Sequence, residues 1–129
     1  MTEKYIIDAY AWIEYLTGSE AGRKVRSVIE EDSEVYTCAV TVAEVISKVA
    51  REGGDVETAY EILTSNSQVV DIDSDFSKES GILHAKMQGT IRDFGLADAF
   101  VLTTARRTDS KILTADIHFK DIKEAILIT

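Results

Sequence analysis

The stretch Tyr5-Ile-Ile-Asp8 sets a short apolar run directly before an acidic residue. The same arrangement returns late in the chain, in Ile112-Leu-Thr-Ala-Asp116. Continuous apolar runs of this length are typical of strands buried on both faces, as in a parallel sheet. The two segments therefore predict two buried strands, each followed by a carboxylate.

Elsewhere in the chain, further short apolar segments predict strands, and the amphipathic segments between them predict helices. The strands are expected at 35–38, 69–70 and 125–128, and the helices near Tyr10 and over 21–31, 42–51, 55–63, 77–89 and 96–107. Such alternation predicts an α/β fold with a central, mostly parallel sheet covered by helices on both faces. Ligands of these sheets bind beyond the carboxyl ends of the strands. The sequence thus places a site where Asp8 and Asp116 emerge.

Composition indicates one folded domain over residues 1–129. Apolar residues make up 45% of the 129 positions, proline is absent, and no linker-like stretch divides the chain. No apolar run is long enough to predict a membrane span, and the first residues do not resemble a secretory signal. Cys38 is the single cysteine, so an internal disulfide is excluded. We expect a cytoplasmic protein that does not enter membranes.

Two more acids are expected at the same edge of the sheet. Glu44, in Thr41-Val-Ala-Glu44, and Asp98, in Gly95-Leu-Ala-Asp98, are predicted in the first turns of helices that follow strands. Both sit among apolar neighbours, which is unusual for acids on a solvated helix face. We therefore expect Asp8, Glu44, Asp98 and Asp116 to converge from four separate segments.

Each acid also has a purely structural interpretation. Asp8 suits the cap of a helix starting near Tyr10, and Thr41-x-x-Glu44 has the form of a capping box. Asp98 can complement a helix dipole, and Asp116 can be a turn residue. Their joint placement, more than any one of them, favours a functional cluster.

Taken together, four motifs resemble those of the PIN domain family, and most closely the small toxins of prokaryotic VapBC toxin–antitoxin pairs. They are Ile6-Ile-Asp8, Thr41-Val-Ala-Glu44-Val, Leu96-Ala-Asp98-Ala-Phe-Val-Leu and Ile112-Leu-Thr114-Ala-Asp116-x-His118-Phe119. The resemblance implies a three-layer α/β/α, Rossmann-like fold and an endoribonuclease that depends on Mg²⁺ or Mn²⁺. It also implies an RNA substrate, a homodimer and a protein antitoxin. Ala9 departs from the pattern, because many members carry Thr or Ser directly after the first acid.

This resemblance and the preference of Mg²⁺ for oxygen ligands suggest roles for the acids. Asp8, Asp98 and Asp116 are expected as metal ligands, and Glu44 as a water-mediated ligand or a residue that orients the nucleophile. Thr114 and Asp93 are candidates to support a carboxylate or a metal water. The chain's net charge of −9 has the wrong sign for RNA binding. Local basic residues must then make the contacts, and Lys48, Arg51 and Arg92 are the candidates.

Other interpretations remain open from the sequence. The same fold with a weak metal site would serve as a binding or scaffold module, and an RNA-processing nuclease would share the chemistry. A phospho-acceptor domain would need Asp71 as acceptor, but Asp8 lacks a neighbouring acid and the last strand offers no lysine. Of the two histidines, His84 is expected to be structural, and His118 to lie where it could contact substrate near Asp116.

Overall fold

Five short strands form one parallel sheet in the computed structural model, which describes residues 3–129. The strands are β1 (Lys4–Ile7), β2 (Glu34–Cys38), β3 (Gln68–Val70), β4 (Lys111–Thr114) and β5 (Ala125–Leu127). Their order in the sheet is β3-β2-β1-β4-β5, and every neighbouring pair is parallel. The α/β fold predicted from the strand segments is confirmed, and the sheet is fully parallel over the described strands.

Six α-helices connect and cover the strands. They are α1 (Ala9–Thr17), α2 (Gly22–Glu30), α3 (Ala39–Arg51), α4 (Val56–Asn66), α5 (Ser74–Gln88) and α6 (Leu96–Thr108). A short 3-10 helix (Ile117–Phe119), which the sequence did not predict, follows β4. No helix in the described part, residues 3–129, is long and apolar enough to cross a bilayer.

The two faces of the sheet carry separate apolar cores, because successive strand residues point to opposite sides. Ile6 and Ile112 pack into a core with residues of α5 and α6. The adjacent residues Ile7 and Leu113 pack into the other core, with side chains from α1, α2, α3 and α4. Helices on both sides of the sheet give the predicted three layers.

The order of the strands in the sheet reverses at the central strand β1, because the chain first adds strands on one side of β1 and then on the other. β2 lies on one side of β1, and β4 lies on the other. Parallel sheets open a crevice at such a switch point, outside the carboxyl ends of the two strands. The backbone N–H of Asp8 donates to the carbonyl of Leu113 at 3.1 Å, so the ends of β1 and β4 are held side by side. The predicted location of the site follows from this topology.

Candidate metal and nucleic-acid site

Asp8 lies at the floor of the crevice, between β1 and α1. Its side chain is 4% exposed. One carboxylate oxygen caps α1 by accepting the N–H of Ala11 at 3.1 Å, and the other accepts the Thr114 hydroxyl at 2.5 Å. Burial, with a smaller contribution from the charges of Asp116 and Asp98, raises the pKa of Asp8 to about 7 against the opposing effect of these hydrogen bonds. The capping role and the site role therefore coexist in one side chain.

Thr114 connects the first and last acids. Its hydroxyl donates to Asp8 and accepts the backbone N–H of Asp116 at 2.9 Å, and its side chain is fully buried at the end of β4. A hydroxyl can donate one bond and accept another, so both of these contacts are satisfied by a single group. Thr114 thus fixes the carboxylate of Asp8 and the backbone that carries Asp116.

Asp98 and Asp116 approach from the other side of the crevice. Asp98 is the third residue of α6 and accepts the N–H of Gly95 at 2.8 Å. Burial raises the pKa of Asp98, and the negative charge of Asp116 adds to the shift against the hydrogen bond from Gly95. Asp116 caps the short 3-10 helix by accepting the N–H of His118 at 2.9 Å.

Glu44 differs from the sequence interpretation in its place on the helix. α3 begins at Ala39, with Cys38 as its cap, so Glu44 is in the second turn and not the first. Thr41 lies inside the helix with its hydroxyl buried and unpartnered, so the capping box does not form. β2 ends at Cys38 as predicted, but α3 follows it directly and begins three residues before the predicted start at Val42, because the N-cap residue is Cys38 and not Thr41. Loss of water around Glu44 raises its pKa, and the charges of Asp98 and Asp116 raise it further.

The four acids therefore act on one another electrostatically. Two carboxylates about 5 Å apart repel by roughly 3 kcal/mol at an effective dielectric constant of about 20. Such a cluster must protonate, spread apart or hold a cation. Oxygen donors at one partly buried site are the set that Mg²⁺ and Mn²⁺ bind, so the residues fit a divalent metal.

His118 is a site residue whose position the sequence indicated only as near Asp116. Its ring Nδ1 lies 3.0 Å from a carboxylate oxygen of Asp116. One potential ligand atom each from Asp98, Asp116 and His118 lies within 4.8 Å of the others. The spacing Asp116-x-His118 placed the imidazole near Asp116, but it did not predict the tight 3-10 turn that brings the ring against the carboxylate. His84 is structural as predicted, because its ring contacts the carbonyl of Phe94 at 3.1 Å.

A groove of about 530 Å³ runs from Glu44 along one side of α3, and we call it the α3 groove. Its walls include Tyr10 of α1 and, on α3, Lys48 and Arg51. Tyr10 is 59% exposed and was not singled out from the sequence. Lys48 pairs with Glu52 at 2.9 Å. Two of the three predicted RNA-binding cations therefore border the same groove as Glu44.

The remaining residues that the sequence singled out, Arg92, Asp93 and Asp71, make no hydrogen bond to the four acids within the described residues. Arg92 and Asp93 are exposed on the loop before α6, 3.9 Å from each other, and Asp93 has a left-handed backbone with φ of 63°. Asp71 follows β3, which is an edge strand separated from β1 by β2. It is therefore not placed beside Asp8 as a phospho-acceptor would need.

Fold and site together define a three-layer α/β protein with an acidic cluster at the switch point of a parallel sheet. The profile of the PIN domain family matches residues 5–125, which is nearly the whole chain. The chain belongs to the PIN domain family. No curated protein sequence matches it significantly.

Solved structures with the same fold extend over the full length of the chain. One is a toxin–antitoxin complex from Klebsiella pneumoniae, with a TM-score of 0.78 and 17% identity over 97% of this chain and 98% of that one. VapBC2 from Rickettsia felis, bound to a promoter DNA fragment, has a TM-score of 0.72 and 15% identity over 96% of each chain. A VapC toxin from Mycobacterium tuberculosis, described as cleaving the sarcin–ricin loop, has a TM-score of 0.70 and 14% identity over 93% of this chain and 92% of that one. At these identities the likeness concerns the fold.

Proposed function

We propose that this protein is a metal-dependent endoribonuclease and the toxin of a toxin–antitoxin pair. The observation that supports the proposal is that Asp8 and Asp116 follow the adjacent strands β1 and β4, and that Asp98 and Asp116 act electrostatically on both Asp8 and Glu44. The charges of Asp98 and Asp116 raise the pKa values of Asp8 and Glu44, and this supports a site that holds a cation. Membership of the PIN domain family and the similarity in fold to VapC toxins support the choice of RNA as substrate.

The four acids are proposed to have different roles, as metal ligands or in orienting water, because their surroundings differ. Asp98 and Asp116 hold the ion, and Asp8, fixed by Thr114 and the N–H of Ala11, contributes directly or through water. Glu44 lines the α3 groove, and we assign it the role of orienting a water molecule for attack on phosphorus. A bound Mg²⁺ or Mn²⁺ would acidify water and offset the negative charge that develops in the transition state.

The substrate strand is proposed to lie along the α3 groove. Lys48 and Arg51 offer positive charge to phosphates, and the exposed ring of Tyr10 offers a face on which an unpaired base can stack. Arg92, which is exposed on the loop before α6 beside Asp93, is proposed to add a further phosphate contact. These local cations compensate for a net charge of −9 where phosphate approaches.

We also propose a protein antitoxin as partner, since several structures of similar fold are complexes of a toxin with its antitoxin. A homodimer is proposed from the family resemblance. Co-expression with the product of the adjacent reading frame, followed by light scattering of the purified material, measures both assemblies. A monomer that never captures such a partner would contradict this part of the proposal.

The activity is tested by incubating the purified protein with a mixture of end-labelled RNAs in Mg²⁺, Mn²⁺ or EDTA. We expect cleavage in either metal, none in EDTA, and none from Asp98→Asn or Asp116→Asn. Attack by water is expected to leave a 5′-phosphate and a 3′-hydroxyl. A 2′,3′-cyclic phosphate would instead indicate attack by the neighbouring 2′-hydroxyl and would contradict the mechanism.

A binding or scaffold module is the second candidate, and Ala9 is the observation that favours it. The chain lacks the hydroxyl that many family members carry directly after the first acid. If the protein binds RNA and metal but cleaves no RNA, and if Ala9→Thr restores cleavage, the module interpretation is correct.

A further inference from the structure

His118 is held beside the acid cluster by a short and well-anchored turn. Its backbone N–H and its ring Nδ1 both approach the same oxygen of Asp116, at 2.9 and 3.0 Å. The next residue, Phe119, is fully buried and packs edge-on against Phe94 with 5.6 Å between ring centroids. The turn is therefore fixed on both sides of His118, while 40% of the imidazole side chain stays exposed to the crevice and solvent.

The chain's other histidine has a different environment. His84 contacts the carbonyl of Phe94 at 3.1 Å and the amide of Gln88 at 3.0 Å, both through its Nε2 atom, so this nitrogen is engaged in structural contacts. His118 has no side-chain partner other than Asp116 within residues 3–129. An imidazole that faces two carboxylates and keeps a nitrogen available is suited to bind a cation.

The spacing of the donors fits one metal ion. The candidate ligand atoms of Asp98, Asp116 and His118 lie within 4.8 Å of one another. Around an octahedral ion with bonds of about 2.1 Å, neighbouring ligand atoms are about 3 Å apart and opposite ones about 4 Å. Side-chain movements of roughly 1 Å for each group therefore suffice to close the three groups around an ion. None of the three side chains is fully buried.

We propose that His118 is a nitrogen ligand of the divalent ion held by Asp98 and Asp116, and that this ligand makes the site select Mn²⁺ over Mg²⁺. The inference rests on the proposed function for the existence of the metal site, and adds to it a ligand and a preference. Mg²⁺ is a hard ion that prefers oxygen donors and keeps its water reluctantly. Transition metals accept imidazole nitrogen readily, so a mixed oxygen and nitrogen site favours them.

Pulsed EPR of the Mn²⁺-loaded protein tests the ligand directly, because a coordinated imidazole nitrogen gives a ¹⁴N modulation of the Mn²⁺ signal. We expect this modulation in the wild-type protein and in His84→Ala, and its loss in His118→Ala. The two histidines are the only ones in the chain, so the pair of variants assigns the nitrogen without ambiguity.

Calorimetric titration of the same three proteins measures the preference. His118→Ala is expected to weaken Mn²⁺ binding by roughly tenfold or more, since loss of even a supporting partner of a ligand costs about 10- to 100-fold. Mg²⁺ binding should weaken less, so that the preference for Mn²⁺ narrows, while His84→Ala keeps the wild-type ratio. Mn²⁺ bound without ¹⁴N modulation would overturn the nitrogen ligand alone. A protein that binds no Mn²⁺ would overturn both this inference and the proposed function.

Discussion

Asp8 is a carboxylate that the fold buries and surrounds with other acids. Its two oxygens already accept hydrogen bonds from Ala11 and Thr114, which lowers the cost of ionisation but does not remove it. Burial remains the dominant effect on its pKa. An unpaired carboxylate in this position stores unfavourable energy that a cation can release. At the scale of single residues, this is the strongest physical sign of a metal site.

The raised pKa of Asp8 makes the metal-free protein less stable as the pH rises. The folded pKa of about 7 lies above the ordinary value of 3.8, so the folded state binds a proton that the unfolded state has released. The stabilisation is present at low pH and is lost as the pH rises through 7. Between pH 5 and 8 the contribution of Asp8 to the free energy of unfolding is expected to fall by up to about 3 kcal/mol.

Urea denaturation in EDTA at several pH values measures this change. Asp8→Asn should flatten the pH dependence, because the amide does not titrate. Metal should flatten it as well, since a bound cation compensates the ionised carboxylate. An Asp8→Asn profile as steep as that of the wild type would show that other groups cause the effect.

At the scale of elements, the site depends on how the ends of β1 and β4 are joined. Thr114 is the link, because its hydroxyl contacts the side chain after β1 and the backbone after β4. The strand residues that pack into the two cores are apolar and supply no ligand or catalytic group. Because this hydroxyl bonds both to Asp8 and to the backbone of Asp116, it holds the two acids at the ends of β1 and β4 in a fixed relation to each other.

Replacing that hydroxyl should damage the site more than the fold. Thr114→Val keeps the shape of the side chain but leaves the N–H of Asp116 without its partner, and is expected to cost about 1–3 kcal/mol of stability. RNA cleavage should fall at least tenfold, because Asp8 and Asp116 lose their common support. Thr104→Val is the matched control, since Thr104 is also fully buried but bonds to a carbonyl of its own helix. Equal losses of cleavage in the two variants would contradict a special role for Thr114.

The sequence predicted the elements better than their ends. Apolar runs before Asp8 and Asp116 identified both central strands, because burial on two faces leaves a strong pattern. The start of α3 was misplaced, since Thr41-x-x-Glu44 has the form of a capping box, whereas the true N-cap residue, Cys38, makes no side-chain capping hydrogen bond. The 3-10 helix at Ile117–Phe119 was not predicted, because three residues are too few for a periodic pattern. That short turn is also what brings His118 to the acids.

At the scale of the whole molecule, the charge distribution decides how RNA could bind. The chain carries 23 acidic and 14 basic residues, so long-range attraction to RNA is weak. Binding then depends on a few cations close to the site, and Lys48 and Arg51 border the α3 groove. These cations could not be ranked from the sequence against others on exposed helices, since their relation to the groove depends on how α1 packs beside α3.

Removing the two groove cations should weaken RNA binding and its dependence on salt. For the double variant Lys48→Gln and Arg51→Gln, the slope of log affinity against log salt concentration is expected to fall by about 1–2, as about one counterion is released for each phosphate contact. Fluorescence anisotropy with the inactive Asp98→Asn background measures the slope. The double variant Arg23→Gln and Arg26→Gln removes the same charge from exposed positions on α2 and should leave the slope nearly unchanged. The same fall in both double variants would indicate a general charge effect and not a groove.

If the four acids form a divalent metal site, the protein melts at a higher temperature in Mn²⁺ than in EDTA. At a free metal concentration of about 100 times the dissociation constant, binding adds about 2.7 kcal/mol, a shift of several degrees for a domain of this size. We expect that shift in the wild-type protein. Asp98→Asn should melt at a higher temperature than the wild type in EDTA, because it removes one of the repelling charges, and should respond little to Mn²⁺. Equal melting temperatures with and without metal in the wild-type protein, or an undiminished shift in Asp98→Asn, would contradict the account.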